Sequence, residues 1–247
     1  MKIIIEKDSD AVGETAAQII AKRINQHPNL VLGLATGETP KTTYQHLIKL
    51  NQSNYVSFKE VTTFNLDEYV GLEKDNPHSY HYYMHHNFFN HIDINNDNIH
   101  LLNGSALDLS KEAQKYDALI QEHNHIDLQL LGIGLNGHIG FNEPNQSLRL
   151  NTHVTDLDTI TLKQNSPFFN DEKMPSKAIT MGLGHIARAN EILLLATGAR
   201  KANIMASLLK SNTLSTNTPA STLLLHQNVT VIMDEDAASL YLKKASE

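Results

Sequence analysis

The residues of this 247-residue chain best suited to chemistry stand just beyond short apolar runs. Asp67 follows Val61 to Leu66. Asn136, His138 and Glu143 follow Leu128 to Ile133, inside Gly132-Ile-Gly-Leu-Asn-Gly-His-Ile-Gly-Phe-Asn-Glu-Pro144, a stretch too rich in glycine to continue as strand or helix. Thr36, Gly37 and Thr39 follow Asn29 to Leu34 in Ala35-Thr-Gly-Glu-Thr-Pro40. Thr39 sits at an N-cap position and Pro40 at the first helical position, so this turn presents a helix amino end to an anion. Gly198-Ala-Arg-Lys201 follows Glu191 to Thr197 and offers Arg200 or Lys201 as a cation. A carboxylate, an imidazole with a second carboxylate, an anion turn and a cation form an inventory for proton transfer on a small anionic substrate. A carboxylate over one carbon and an imidazole near the adjoining oxygen suit aldose–ketose interconversion of a sugar phosphate.

Other chemistries fare worse. The chain has no cysteine, no G-x-S-x-G elbow and no Walker lysine. Gly132-Ile-Gly-Leu-Asn-Gly137 matches the dinucleotide fingerprint, with Asp156 near the offset of a ribose-binding acid, but that motif requires a helix directly behind its glycines. Gly140 and Pro144 oppose one. His81 and His85 have the spacing of a helical metal pair, yet no Glu follows His81 to complete H-E-x-x-H. No metal site and no cofactor are expected. Asp67-Glu68, taken alone, fits a solvated turn.

The elements that must position these groups alternate. Lys2 to Glu6 is an opening strand, and Asp8 or Ser9 caps a helix to about Gln26 with Val12, Ala16, Ile19, Ile20 and Ile24 inward. Strands follow at Asn29 to Leu34, Val61 to Leu66, Ile99 to Leu102, Leu128 to Ile133, Lys177 to Met181, Glu191 to Thr197 and Val229 to Met233. Helices are expected over Lys41 to Leu50, from Pro77 to Phe89, over Ser110 to Asn124, after Lys201 to Lys210, and after Asp234 to Leu242. Such alternation implies a mostly parallel sheet with helices on both faces, an α/β fold whose ligands bind beyond the strands' carboxyl ends. Residues 145–176 are the least regular, with an acidic turn before Pro175, and are read as a lid or a small excursion from the sheet within a single domain spanning 1–247.

Composition sets the outer limits. Hydrophobic residues make up 40% and charged residues 19%, which suits a globule. A net charge of −7 disfavours a nucleic-acid partner. No apolar run approaches a membrane span, and the amino terminus lacks the pattern of a signal peptide. The absence of cysteine fits a cytoplasmic protein. Nothing in the sequence specifies an oligomeric state.

Longer motifs carry a family resemblance. Asn65-Leu-Asp-Glu-Tyr-Val-Gly71, Ser79-Tyr80, Gly132-Ile-Gly134, Asn136-Gly-His-Ile-Gly-Phe-Asn-Glu-Pro144 and Met181-Gly182 resemble the short bacterial glucosamine-6-phosphate deaminases, in register from near residue 1 to the final helix. The resemblance implies a three-layer αβα sandwich with a Rossmann-like sheet. It also implies a hydrolase of the aldose–ketose isomerase type, turning glucosamine 6-phosphate and water into fructose 6-phosphate and ammonia without a cofactor. Asp67 would move the proton between C2 and C1. His138 would open the pyranose, oriented by Glu143, with Asn136 where the family has Asp or Asn. Thr36, Gly37, Thr39, Gly137 and Lys201 would bind substrate.

Two departures bear on the phosphate. The family's Thr-Gly-Gly-Thr is Thr36-Gly-Glu-Thr39 here, placing Glu38 where an anion is expected. Its Asn-Ser-Arg-Phe-Phe is Asn165-Ser-Pro-Phe-Phe169, so Pro167 stands where a cation would. His153 and Thr155 occupy the basic allosteric positions of the longer enzymes, which argues against that activation. The alternatives are a relative acting on galactosamine 6-phosphate, a plain amino sugar or 6-phosphogluconolactone, and a non-catalytic sugar-phosphate sensor.

Overall fold

The computed structural model describes residues 1–169 and 173–243. In chain order the elements are β1 (Lys2–Glu6), α1 (Ser9–Gln26), β2 (Val31–Leu34), α2 (Glu38–Gln52), β3 (Thr62–Asn65), β4 (Asp67–Tyr69), α3 (Tyr80–Asn87) and β5 (Ile99–His100). Then come α4 (Leu109–Glu122), β6 (Leu128–Leu131), β7 (His153–Asp156), α5 (Thr159–Asn165), β8 (Lys177–Thr180) and α6 (Leu183–Arg188). The chain continues with β9 (Glu191–Ala196), α7 (Ala202–Lys210), β10 (Val229–Asp234) and α8 (Glu235–Leu242). Capping follows local chemistry: the Asp8 carboxylate accepts from Ala11 N to start α1, and Asp234 does the same from Ala237 N for α8.

Seven strands form one parallel sheet in the order β1-β10-β9-β6-β2-β3-β5. Alternate side chains of each strand leave by opposite faces. On β9, Ile192, Leu194 and Ala196 enter one apolar core while Leu193 and Leu195 enter the other. α1 seals the second core with Val12, Ala16, Ile20 and Ile24, whereas Ile19, expected inward, is half-buried. The result is the expected helix–sheet–helix sandwich. Strand order reverses direction between β2 and β6, and the carboxyl edge of that junction is where an open α/β sheet accepts ligands.

The alternation breaks at one place. After Asn65 the chain leaves the parallel sheet, and Asp67–Tyr69 pairs antiparallel with β8, which pairs antiparallel with β7. Lys177 to Met181 therefore belongs to a separate three-stranded sheet rather than to the main one. Residues 145–176 are less irregular than their composition implies, since they contain β7, α5 and a 3-10 turn at Ser166–Phe169. The acidic turn before Pro175 falls at 170–172, outside the described residues. α2 begins at Glu38, with Gly37 rather than Thr39 as its N-cap. α6 and the 3-10 stretch Pro219–Leu225 were not anticipated from the sequence. Among the described residues no helix is long and apolar enough to cross a membrane.

Candidate active site

A cavity of about 510 Å³ opens at the carboxyl ends of β2, β6 and β9 and at the junction of β3 with β4. Its wall includes Thr36, Gly37, Thr39, Asp67, His138 and Lys201. A larger depression of about 750 Å³ lies at the opposite edge, around Asn29, Asp127 and Asn190 beside the strands' amino ends. The smaller cavity is the candidate site, because it lies where parallel strands deliver ligands and because the acid–base groups converge there.

Asp67 is carried there by the change of sheet. Leu66 N bonds to Leu34 O of the parallel sheet, and Met181 N bonds to Leu66 O from the antiparallel one, so the residue between is fixed from both sides. Its side chain is buried, and among the described residues its carboxylate accepts no hydrogen bond. Burial, and secondarily the neighbouring Glu68, pushes the Asp67 carboxyl well above the usual carboxylate range. Glu68 has another task. It accepts from the backbone N–H groups of Tyr69, Tyr80 and His81, holding the start of α3. Burial raises its pKa to about 7 against the lowering by those three bonds. Neither acid lies in a solvated turn, because the β4 pairing buries both.

The glycine-rich run after β6 brings His138 to Asp67. Gly140 has φ +56°, and a Cβ there would stand 3.4 Å from Asp67 Oδ2 and 3.0 Å from Thr180 Oγ1. A Cβ on Gly134 would lie inside contact distance of the His138 ring. Both glycines let backbone pass where side chains of the site must sit. No helix follows the G-x-G-x-x-G run until α5, so the geometry for a dinucleotide pyrophosphate is missing.

His138 Nδ1 stands 3.2 Å from Glu143 Oε2, whose side chain is 4% exposed. Asn136 Nδ2 donates to the same oxygen at 2.9 Å, and Asn136 Oδ1 accepts from His138 N at 3.2 Å. Burial pulls the Glu143 carboxyl up, but hydrogen bonding and charge from His138, with bonds from Thr161 and Asn136, hold it below its ordinary value. An ionised carboxylate accepts only, so His138 carries its hydrogen on Nδ1. His138 Nε2 has no hydrogen-bond partner among the described residues. Asn136 and Glu143 stand behind the imidazole and are absent from the cavity wall.

The opposite end of the cavity is cationic. Lys201 Nζ donates to Ile133 O at 2.5 Å, and burial, followed by the repulsion of Arg200, lowers its pKa to about 8. Arg200 also borders the cavity. The loop carrying both is pinned where Gly198 N donates to Asp234 Oδ1 and Oδ2 at 3.0 and 2.8 Å. Across from it, Gly37, Glu38 and Thr39 present the first turn of α2. The Glu38 carboxylate is exposed and bonded to Lys41 Nζ.

Gly137 stands apart from the other expected binding residues. It does not border the cavity: a Cβ on it would meet Thr218 and Ile204, and its carbonyl accepts from Ala220 N. Pro167 is exposed and outside the wall, whereas its neighbour Phe168 contributes to it. Sequence reasoning missed Tyr80 and Phe141, stacked at 5.8 Å beside Asp67, and Thr161, which touches His138. Asp158 before Thr159 was the signal for Thr161, an N-cap starting a helix inside a stretch read as irregular. His81 and His85 lie with ring centroids 4.6 Å apart and planes tilted on α3, away from the cavity, and burial, then His85 and Lys74, lowers the His81 pKa to about 4.

The family model for glucosamine-6-phosphate isomerases/6-phosphogluconolactonase matches residues 6–232. The chain belongs to that family. Among members of this isomerase/lactonase family, a glucosamine-6-phosphate deaminase of Thermoanaerobacter sp. is 51% identical over 241 residues, covering 97% of this chain and 95% of its relative. One from Oceanobacillus iheyensis is 50% identical over 238 residues, covering 96% and 95%. A solved structure described as a monomeric glucosamine-6-phosphate deaminase superposes with a TM-score of 0.94 at 45% identity, covering 97% of this chain and all of that one. The 6-phosphogluconolactonase of Trypanosoma cruzi superposes with a TM-score of 0.77 at 19% identity, a likeness of fold alone. The expectation of a hydrolase is inexact, since these relatives bear the names of deaminases and the family that of isomerases.

Proposed function

We propose that the chain is an isomerising deaminase converting glucosamine 6-phosphate and water to fructose 6-phosphate and ammonia. The observation that carries this reading is the convergence of Asp67, His138 and Lys201 on one cavity. The phosphate lies at the cationic end, on the α2 amides, Arg200 and Lys201. His138, held by Glu143 and Asn136, moves the proton between the ring oxygen and the anomeric hydroxyl as the pyranose opens. Asp67 then takes the proton from C2 and returns it to C1. The enolamine so formed becomes an imine at C2, which water hydrolyses to the ketone with release of ammonia.

Burial suits Asp67 to this step, because a carboxyl with a raised pKa is a stronger base towards a weakly acidic C–H. The whole chain acts as one domain, with α5 and the turn after it covering the sugar. A cytoplasmic location fits a cysteine-free enzyme of phosphorylated metabolites. The direct test is ammonia and fructose 6-phosphate formation from glucosamine 6-phosphate, with Asp67→Asn as control. No product from the intact protein, under conditions where a known deaminase turns over, sinks the reading.

Pro167 favours one second reading, an amino sugar without phosphate, since it removes a cation expected near the anion. Comparing catalytic efficiency on glucosamine 6-phosphate and plain glucosamine separates the two. Preference for the plain sugar would overturn the first.

A further inference from the structure

Thr161 sits in the first turn of α5 and is buried, with its Oγ1 3.3 Å from His138 Nδ1. Its hydroxyl also helps to hold the Glu143 carboxyl below its ordinary value. The N–H of Asp158, the residue capping α5, donates to Glu143 Oε1 at 3.4 Å. Glu143 thus collects donors from its own glycine-rich loop and from a helix that is separate in sequence. An ionised carboxylate draws the hydroxyl hydrogen towards itself, which leaves the Thr161 oxygen turned to Nδ1–H. Two acceptors then share the Nδ1 hydrogen, and Nε2 stays bare for the substrate.

Residues three and four apart share one face of a helix. From Thr161, those positions are Gln164 and Asn165, and both line the cavity. One face of a two-turn helix therefore touches the imidazole pair at one end and the cavity at the other. We propose that Thr161 is a positioning residue of the reaction, through which the part of α5 that meets the sugar sets the tautomer and orientation of His138. The inference rests on the reaction proposed above. Valine in place of threonine keeps the shape and removes the hydroxyl, whereas serine keeps it.

The test compares ammonia release by the wild type, Thr161→Val and Thr161→Ser, together with the imidazole nitrogen resonances of His138, assigned by their loss in His138→Gln. The valine variant should lose ~10–100-fold in kcat, the range for groups that orient a functional histidine, while KM changes by less than ~3-fold. Serine should restore kcat to within ~3-fold, as expected if the hydroxyl is the operative group. The Nδ1 resonance should move in the valine variant and return in the serine variant. Equal kcat in valine variant and wild type, equal losses in valine and serine variants, or a His138 spectrum indifferent to valine would each overturn the role of Thr161. If the wild type releases no ammonia, the proposed reaction falls, and the His138 spectrum still decides whether Thr161 positions the ring.

Discussion

Glu38 Oε1 lies 2.6 Å from Lys41 Nζ, three residues along α2, and Lys41 is not part of the cavity wall. The extra carboxylate at the anion turn is thereby neutralised by its own helix, and the turn's backbone remains free to meet a phosphate.

Removing that partner should expose the conflict. Lys41→Ala should raise KM for glucosamine 6-phosphate several-fold, because an unpaired charge near the phosphate in a high-dielectric opening costs roughly 1 kcal/mol or less. Glu38→Gly in the same background should reverse the rise. Steady-state KM at fixed ionic strength checks both, and an unchanged KM in Lys41→Ala would show that Glu38 does not sense the ligand.

Asp67→Asn should lower kcat by ~10²–10⁴-fold with little change in KM, the magnitude typical of a lost general base. It should also stabilise the fold at neutral pH. A carboxyl whose folded pKa is raised costs stability that sets in as pH climbs above its unfolded value, ~3.9, and is complete above the folded value. The melting temperature of Asp67→Asn should therefore exceed that of the wild type at pH 8, with the gap closing towards pH 4. In the wild type, kcat/KM should fall in acid well above the usual carboxylate range, as Asp67 takes up its proton.

Lys201 predicts the alkaline limb. Its pKa of about 8 means that the charge is lost as pH rises through that value, so binding of a phosphate monoester should weaken between pH 7 and 9. Lys201→Met should raise KM for the phosphorylated sugar by at least ~10-fold, the worth of a charge-assisted bond, and leave the kinetics on plain glucosamine nearly unchanged. Equal losses on both sugars would place Lys201 outside the phosphate site.

Glu143→Gln should reduce kcat by ~10–100-fold, since the amide no longer holds the Nδ1 tautomer of His138. The lowered pKa of Glu143 also makes it a stabilising group at neutral pH. Its contribution is present above the unfolded carboxyl value and is lost as pH falls through the lower folded one. The difference in melting temperature between wild type and Glu143→Gln should therefore shrink in acid, where a scan from pH 7 to pH 3 can follow it.

The main sheet was legible because buried parallel strands are short apolar runs, and those around Leu32, Leu130 and Leu194 stand out between capped helices. Asp67 and His138 were legible because each sits directly beyond such a run. The antiparallel sheet was not, because Lys177–Thr180 has the same character as a parallel strand and nothing local to it encodes direction. That Gly137 lies off the cavity wall was not legible, since a glycine's neighbours in sequence do not reveal which wall its backbone faces. The orientation of Glu38 depended on a rotamer choice that only the position of Lys41 decides. Thr161 was hidden because its contacts reach back to a loop that precedes it by a whole strand, β7.

The order of the main sheet has a consequence for synthesis. Among the described residues β1 has β10 as its sole neighbour there, and Asp234 at the end of β10 fastens the loop that carries Lys201. β1 thus waits unpaired until β10 has been made, and a nascent chain owns the residues of its anion pocket before it owns the clasp that assembles them. Catalytic competence should appear abruptly, once β10 has left the ribosome, rather than growing with chain length.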